Sequence, residues 1–361
     1  MYAVVRKPDK LDTVAWDSFA AQAGAGVRGT ARFLSIWRLR KALSYRLLIV
    51  DIWTDEGGAR RKIGQCALAR ARRGGVNLFI DALHLAPGEQ ERWAEAMQAV
   101  LKAVGPGDYE YGWTLSLDAR RDQAAGGLGG VALTWVKPLT VQAVDFSRWD
   151  TWDAYFRSIS ENSRRSYKAA ARDLPDLRID VRHGLDALRD VIDAGRLHDA
   201  MAERKGLKRG RSAVRYAFGL ITGGPDYATA VARVGKRALS AYYGAEFGDL
   251  TYYLEGGSAK DNGGASWALL IGMLQRAWDK GPRGKFVMGY VDYSLHSDEA
   301  GGGLLRSRNA CRVTNFETSI FRFRYDPAAP RAEAPTPAQT PGEAAASVPP
   351  VLEKAPRQKC A

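Results

Sequence analysis

The sequence predicts an α/β (α+β) protein made of two successive units, each a mixed, mostly antiparallel sheet flanked by helices. Three observations predict this. The chain has 361 residues, too many for one compact domain at ~150 residues each. Apolar runs of strand length alternate with helical stripes through most of it. Its second half also holds three consecutive strands joined by tight turns, the pattern of an antiparallel meander. The units are expected at residues 1–146 and 147–325. A Pro/Ala-rich tail, 326–361, lacks aromatic residues to bury and is read as disordered.

The first unit begins its legible pattern at YRLLIVDIW (Tyr45–Trp53), a nearly unbroken apolar run of the kind buried on both faces. KIGQCALARA alternates as its partner, and VNLFIDAL reads as a third strand. Pro87-Gly88-Glu89 opens a helix in which Trp93, Met97, Leu101 and Val104 form one stripe. YEYGWTLSL is the next strand. The glycine-rich AAGGLGG then leads into VALTWVKPLTVQAVDF, a long strand that leaves this half.

In the second unit Trp152, Tyr155, Phe156 and Ile159 lie at i, i+3, i+4 and i+7, a helical core stripe. SISENSRRSYKAAARDL follows on the same helix or just beyond a kink. LRIDVRHG is a strand, and LDALRDVIDAGRLHDAMAERKG and VRYAFGLITGG are helices. TAVARVG, ALSAYYGAEFG and DLTYYLEGGS form the meander. GASWALLIGMLQRAWDKG is a helix with Trp267, Leu270, Ile271, Leu274 and Trp278 on one side, and KFVMGYV and NFETSIFRFRY are the closing strands.

Charge narrows the partners. Lys and Arg total 53 against 40 Asp and Glu, a net +13, and the tail is balanced, so the excess sits on the folded part. This favours an anionic partner: a nucleotide cofactor, RNA, an acidic carrier protein, a nucleotide-linked glycan or a lipid surface. Cys66, Cys311 and Cys360 are far apart, as are His84, His183, His198 and His296, so neither a disulfide framework nor a metal site is expected. No run has signal-peptide or membrane-spanning character, and the protein reads as cytoplasmic. No RNA-binding motif is present.

Taken together, WDTWDAYFRSISENSRRSYKAAARDL, LHDAMAERKG, the LTYYLEGGS strand with the helix after it, KFVMGYVDY and GGGLLRSRNACRV resemble the GNAT-fold acyltransferases of the FemAB-like type, near the BioF2-like (CelD-like) acetyltransferase domains. The resemblance covers about Arg148 to Tyr325. It implies tandem GNAT-like domains, the first half being a degenerate first copy. It departs from the family pattern in three places: FVMGY carries no acid, Arg306 and Arg308 stand where a lysine is frequent, and the phosphate loop is incomplete.

The resemblance implies N-acyl transfer, most simply of acetyl from acetyl-CoA or another acyl-CoA, to an amino group of a sugar, an envelope precursor or a small metabolite. An acyl carrier protein and aminoacyl-tRNA are alternative donors, and charge does not choose among the three. Glu255, at the end of its strand, is the expected base, Tyr290 the proton donor to the leaving group, and Arg308 an anion stabiliser. Gly263, Gly264, Ala265 and Ser266, opening a helix, are expected to meet a pyrophosphate. Asn162, Arg164, Arg165, Lys168, Arg204, Lys205 and Arg306 are read as an anion-contact surface, because the ridge intersperses few acids. The competing reading is a catalytically lapsed binding or scaffold protein of an exopolysaccharide or envelope pathway.

Overall fold

The computed structural model describes residues 1–206, 210–291 and 299–329. Tyr293, Lys208, Arg209, His296, Cys360 and the tail from 330 lie outside the described residues. In chain order the first half holds β1 (Tyr2–Arg6), α1 (Thr13–Gln22), α2 (Ala31–Lys41), β2 (Tyr45–Thr54), β3 (Arg61–Ala71), β4 (Asn77–Phe79) and β5 (His84–Leu85). It continues with α3 (Trp93–Val104), β6 (Gly107–Tyr111), α4 (Asp122–Gly126) and β7 (Val131–Asp145). The second half holds α5 (Trp152–Ser158), α6 (Glu161–Asp173), β8 (Leu177–His183), α7 (Val191–Arg204), α8 (Ser212–Gly223), β9 (Tyr227–Val234), β10 (Arg237–Phe247) and β11 (Leu250–Ser258). It closes with α9 (Ala265–Lys280), β12 (Lys285–Val291), α10 (Glu299–Ala310) and β13 (Thr314–Tyr325).

The strands join into one sheet in the order β1-β2-β3-β4-β6-β13-β7-β12-β11-β10-β9-β8, with β5 beside β3. Every pairing is antiparallel except two, β4 with β6 and β11 with β12. These occupy equivalent places, so the sheet repeats one plan twice. Each unit gives up a strand to the other: β13 runs between β6 and β7, and β7 pairs along β12 as well. Through this exchange two units share one continuous sheet.

The parallel pairs are short. Only Leu250, Thr251 and Tyr252 pair with β12 before the strands diverge, leaving Tyr253–Ser258 unpaired on that side. Only Asn77 and Leu78 pair with β6. A sheet that splits between parallel neighbours leaves backbone groups and a wedge of space for a ligand. The two wedges are the clefts described below.

The predicted stripes pack as expected. Trp93, Met97, Leu101 and Val104 are buried against Phe321, Phe323 and Tyr325 of β13. Ile271 and Leu274 of α9 are buried with Phe146, Tyr155 and Phe286. One reading left open is resolved and three others change. The helix running on from Trp152 breaks at Ile159–Ser160, where Ser160 caps α6 by accepting from Ser163 N at 3.4 Å. YEYGWTLSL is a strand only to Tyr111, because Gly112 adopts φ +92° against the Ser319 carbonyl and turns the chain out of the sheet. VNLFIDAL contributes only a three-residue strand. The helix after Pro87 starts at Trp93, behind a 3-10 turn over Gln90–Arg92.

Candidate functional site

The second cleft, about 570 Å³, lies in the wedge between β11 and β12. Glu255, Tyr290, Arg308, Lys205, Ser266 and His198 all line it. Glu255 sits on β11 just past the last residue paired to β12, so the splay itself frees its side chain for the cleft. Tyr290 faces it from β12.

Two donors converge on Glu255 Oε2, the Arg215 guanidinium in close contact and the Tyr216 hydroxyl at 2.7 Å, and His198 Nε2 lies 3.4 Å from the same oxygen. Oε1 has no side-chain partner among the described residues. Burial and the neighbouring Glu255 charge push the Tyr216 phenol well up, so it stays a donor. Behind His198 the chain of contacts continues. Ser212 Oγ donates to Asp199 Oδ1 at 2.6 Å and lies 3.0 Å from His198 Nδ1. A serine has one hydroxyl proton, so Nδ1 must donate to Ser212. That fixes the tautomer and leaves Nε2 facing Glu255 Oε2.

Arg308 forms the floor. It is buried, and its guanidinium rests on Gly289, where a Cβ would come within 3.0 Å of the guanidinium carbon. It donates to the Tyr290 carbonyl at 3.0 Å and to Gln142 Oε1 at 3.3 Å, both neutral, while its Nε has no partner among the described residues. Burial pushes this guanidinium down to about 10, still charged at neutral pH. A buried cation held by neutral acceptors is suited to an anion or a polarised carbonyl.

The remaining predicted residues divide. Arg306 is exposed and does not line the cleft. Helix geometry explains this: residues two apart on α10 point to different sides, and Arg308 takes the inward one. Arg204 donates to the Ser258 carbonyl at 2.5 Å, tying α7 to the end of β11. The basic ridge on α6 carries its own partners. Arg165 pairs with Glu161 at 2.5 Å one turn away, Arg172 pairs with Asp173, and Arg164 donates to the Ile159 carbonyl at 3.0 Å. Lys168 and Asn162 are exposed. Acids thus pair with two of the ridge's four bases, Arg165 and Arg172, while Arg164 and Lys168 have none among the described residues.

The helix opening at Gly263–Ser266 differs most from expectation. Asn262 Oδ1 accepts from Gly264 N at 3.2 Å and Ser266 N at 3.4 Å, and the Asn262 carbonyl accepts from Ala265 N at 2.9 Å. Three of the four N–H groups expected to meet a pyrophosphate, those of Gly264, Ala265 and Ser266, are therefore already satisfied from within the chain. The absent Gly264 side chain makes room for α6, since a Cβ there would lie 2.6 Å from the Ser166 carbonyl. The glycines serve helix packing.

Sequence reasoning missed two features. One is the first cleft, also about 570 Å³, in the β4–β6 wedge. It presents the buried pair His84 and Asp81, 3.1 Å apart, and Asp118 held by the Tyr111 hydroxyl (2.7 Å) and Arg121 (3.2 Å). Asp81 and His84 just beyond a strand gave the same kind of signal as Glu255. The loop at 113–118 walls both clefts. The other is a groove between α2 and α8 lined by Phe33, Trp37, Arg40 and Phe218, which also ends at Leu254 and Glu255. Glu255 thus stands between two cavities. No group of three or more His, Cys, Asp or Glu able to hold a metal occurs among the described residues, and no described helix is long and apolar enough to cross a membrane.

A sheet split between parallel strands, with a helix crossing from one to the other, built twice along one chain with exchange of the last strands, is a tandem GNAT-like fold. Among solved structures the chain is similar to the crystal structure of FemX, with a TM-score of 0.65 at 11% identity over 89% of this chain and 97% of that one. Weaker similarity is found to L-PGS from Bacillus licheniformis (TM-score 0.47, 12% identity, 88% and 93% covered) and to a tandem GNAT protein from the clavulanic acid biosynthesis pathway (0.44, 13%, 91% and 98%). No family model and no curated protein matches the sequence.

Proposed function

We propose that this chain is an acyl- or aminoacyl-transfer enzyme acting on an amine, with Glu255 as the base. The observation that carries this reading is the position of Glu255 at the meeting of two cavities, each giving one reactant its own approach. The donor enters the β11–β12 cleft, where Arg308 balances negative charge on the acyl oxygen as the amine attacks. Glu255 takes the amine proton and shares it with His198 Nε2, whose charge is offset by Asp199 through Ser212. Tyr290 returns a proton to the departing oxygen or sulfur. One N–H and one acyl–heteroatom bond break, and one amide bond and one heteroatom–H bond form.

Of the donors, acetyl-CoA has the least support, because the α9 opening that would grip its pyrophosphate is closed by Asn262. Aminoacyl-tRNA or an acyl carrier protein suits the cleft better. That same closure favours the competing reading, a binding module of an envelope pathway that has lost its chemistry. The experiment offers acetyl-CoA, acyl carrier protein and aminoacyl-tRNA, each labelled in the acyl group, with amino sugars, amine-bearing glycan precursors and amine-bearing lipids as acceptors. The proposal expects amide formation from one of the two larger donors. Tight donor binding with no amide from any combination would establish the binding module instead.

A further inference from the structure

The face formed by α2 and α8, beside the groove that leads to Glu255, carries exposed cations and apolar side chains that the transfer chemistry itself does not use. Between Asp17 and Asp51 the sequence has no acid and six bases: Arg28, Arg32, Arg38, Arg40, Lys41 and Arg46. Of these, Arg32, Arg38, Arg40 and Lys41 lie on α2. α8, packed beside it, has no acid and one base, Arg215. Arg32 on α2 donates to the Thr222 and Ile221 carbonyls at the end of α8, and the Arg40 guanidinium sits 4.8 Å over the Phe218 ring.

Large apolar side chains stand in water on the same two segments. Leu39 is 70% and Leu43 93% exposed, and Val214, Phe218 and Ile221 are exposed at i, i+4 and i+7 along α8. Most exposed apolar residues in a protein are scattered and mean little. Here they flank one groove and are interleaved with cations. Arg38 is paired with Asp9, and Arg215 with Glu255, whereas Arg40 and Lys41 have no acidic partner among the described residues. Exposed aliphatic residues among unpaired cations match an anionic bilayer, which takes the apolar groups below its head groups and holds the cations at its surface. A nucleic acid would use the cations but leave Leu39 and Leu43 in water.

We infer that the α2–α8 face docks on an anionic lipid surface. The groove between the two helices then opens from the bilayer toward Glu255. Docking adds to the reaction proposed above only the place where it happens, and it is measured without donor, so it stands or falls separately from transfer.

The test is co-sedimentation of the full chain with vesicles of pure phosphatidylcholine and of equal parts phosphatidylcholine and phosphatidylglycerol, at low and high salt. The wild type is expected to sediment with the anionic vesicles only, less at high salt. Arg40→Ala with Lys41→Ala should weaken binding about 30-fold, the loss for two cations at ~1 kcal/mol each near an anionic surface. Leu39→Ser with Leu43→Ser, which keeps every charge, should weaken it at least about tenfold. Circular dichroism confirms folding of both, and these exposed positions carry no core packing. Equal binding to neutral and anionic vesicles, or wild-type binding by either variant, overturns the inference. So does binding of bulk RNA in preference to vesicles, lowered by the cation variant and untouched by the leucine variant.

Discussion

Gly257→Ala probes the join between fold and site. Gly257 lies on β11 two residues past Glu255, where α7 crosses the strand. A Cβ built there comes within 2.5 Å of the His198 Cα and the Leu197 carbonyl carbon, against about 3.4 Å for ordinary contact. Both are backbone atoms, so no rotamer change relieves the overlap, and α7 must retreat by about 1 Å. Overpacking of this kind costs ~1–3 kcal/mol, which for a unit of this size lowers the melting temperature by roughly 2–12 °C. The same retreat lengthens the His198–Glu255 contact from 3.4 Å past hydrogen-bonding reach. Calorimetry reads the first effect. Nitrogen-15 spectra of the histidines, assigned with His198→Gln, read the second as a change in the His198 signals alone. A melting temperature and His198 signals both like wild type would refute the close approach of β11 and α7, and with it the geometry assigned to the relay.

Gly264→Ala should cost about 2–4 kcal/mol by denaturant unfolding, since it adds a φ of +85° to a collision with the Ser166 carbonyl, while Gly263→Ala, meeting only the Leu174 side chain, should cost about 1 kcal/mol; equal costs would contradict the α6–α9 packing. Burial, with Asp17 nearby, raises the Asp226 carboxyl to about 6, opposed by Arg32 and Lys280. The folded state therefore binds this proton more tightly than the unfolded chain, and its contribution is lost as pH rises from about 4 through 6. Asp226→Asn should gain about 1–2 kcal/mol over wild type near pH 8, after allowance for partial exposure, and nothing near pH 3.5, as read by unfolding at the two pH values.

What the sequence revealed follows from how local each feature is. The meander β9-β10-β11, α9 and β12 were legible because alternation, tight turns and an apolar stripe are written within each segment. The first 44 residues were not, because the outward edges of α2 are themselves apolar, with Leu39 and Leu43 in solvent, and the helical stripe is blurred. The insertion of β13 between β6 and β7 joins residues about two hundred positions apart, and no local pattern encodes it. Glu255 was legible as an acid ending a strand before a glycine-rich turn. Its partners were not: His198 comes from α7 and Arg215 and Tyr216 from α8, and only tertiary packing brings them to one oxygen, with Ser212 and Asp199 behind His198. The glycine pair before α9 was visible, but whether it opens toward a ligand or toward another helix depends on where α6 docks. The pairing of Arg165 with Glu161, four residues apart, was present in the sequence as an i,i+4 pair.

The central claim is that Glu255 removes the acceptor proton. Its most direct test is the rate of labelled amide formation by Glu255→Gln beside wild type, with donor affinity measured on the same preparations. Glutamine keeps the size of the side chain and an oxygen for Tyr216 and Arg215 but cannot accept the proton. The account predicts a rate at least ~100-fold lower with donor affinity within about threefold. Transfer by Glu255→Gln at the wild-type rate would contradict it.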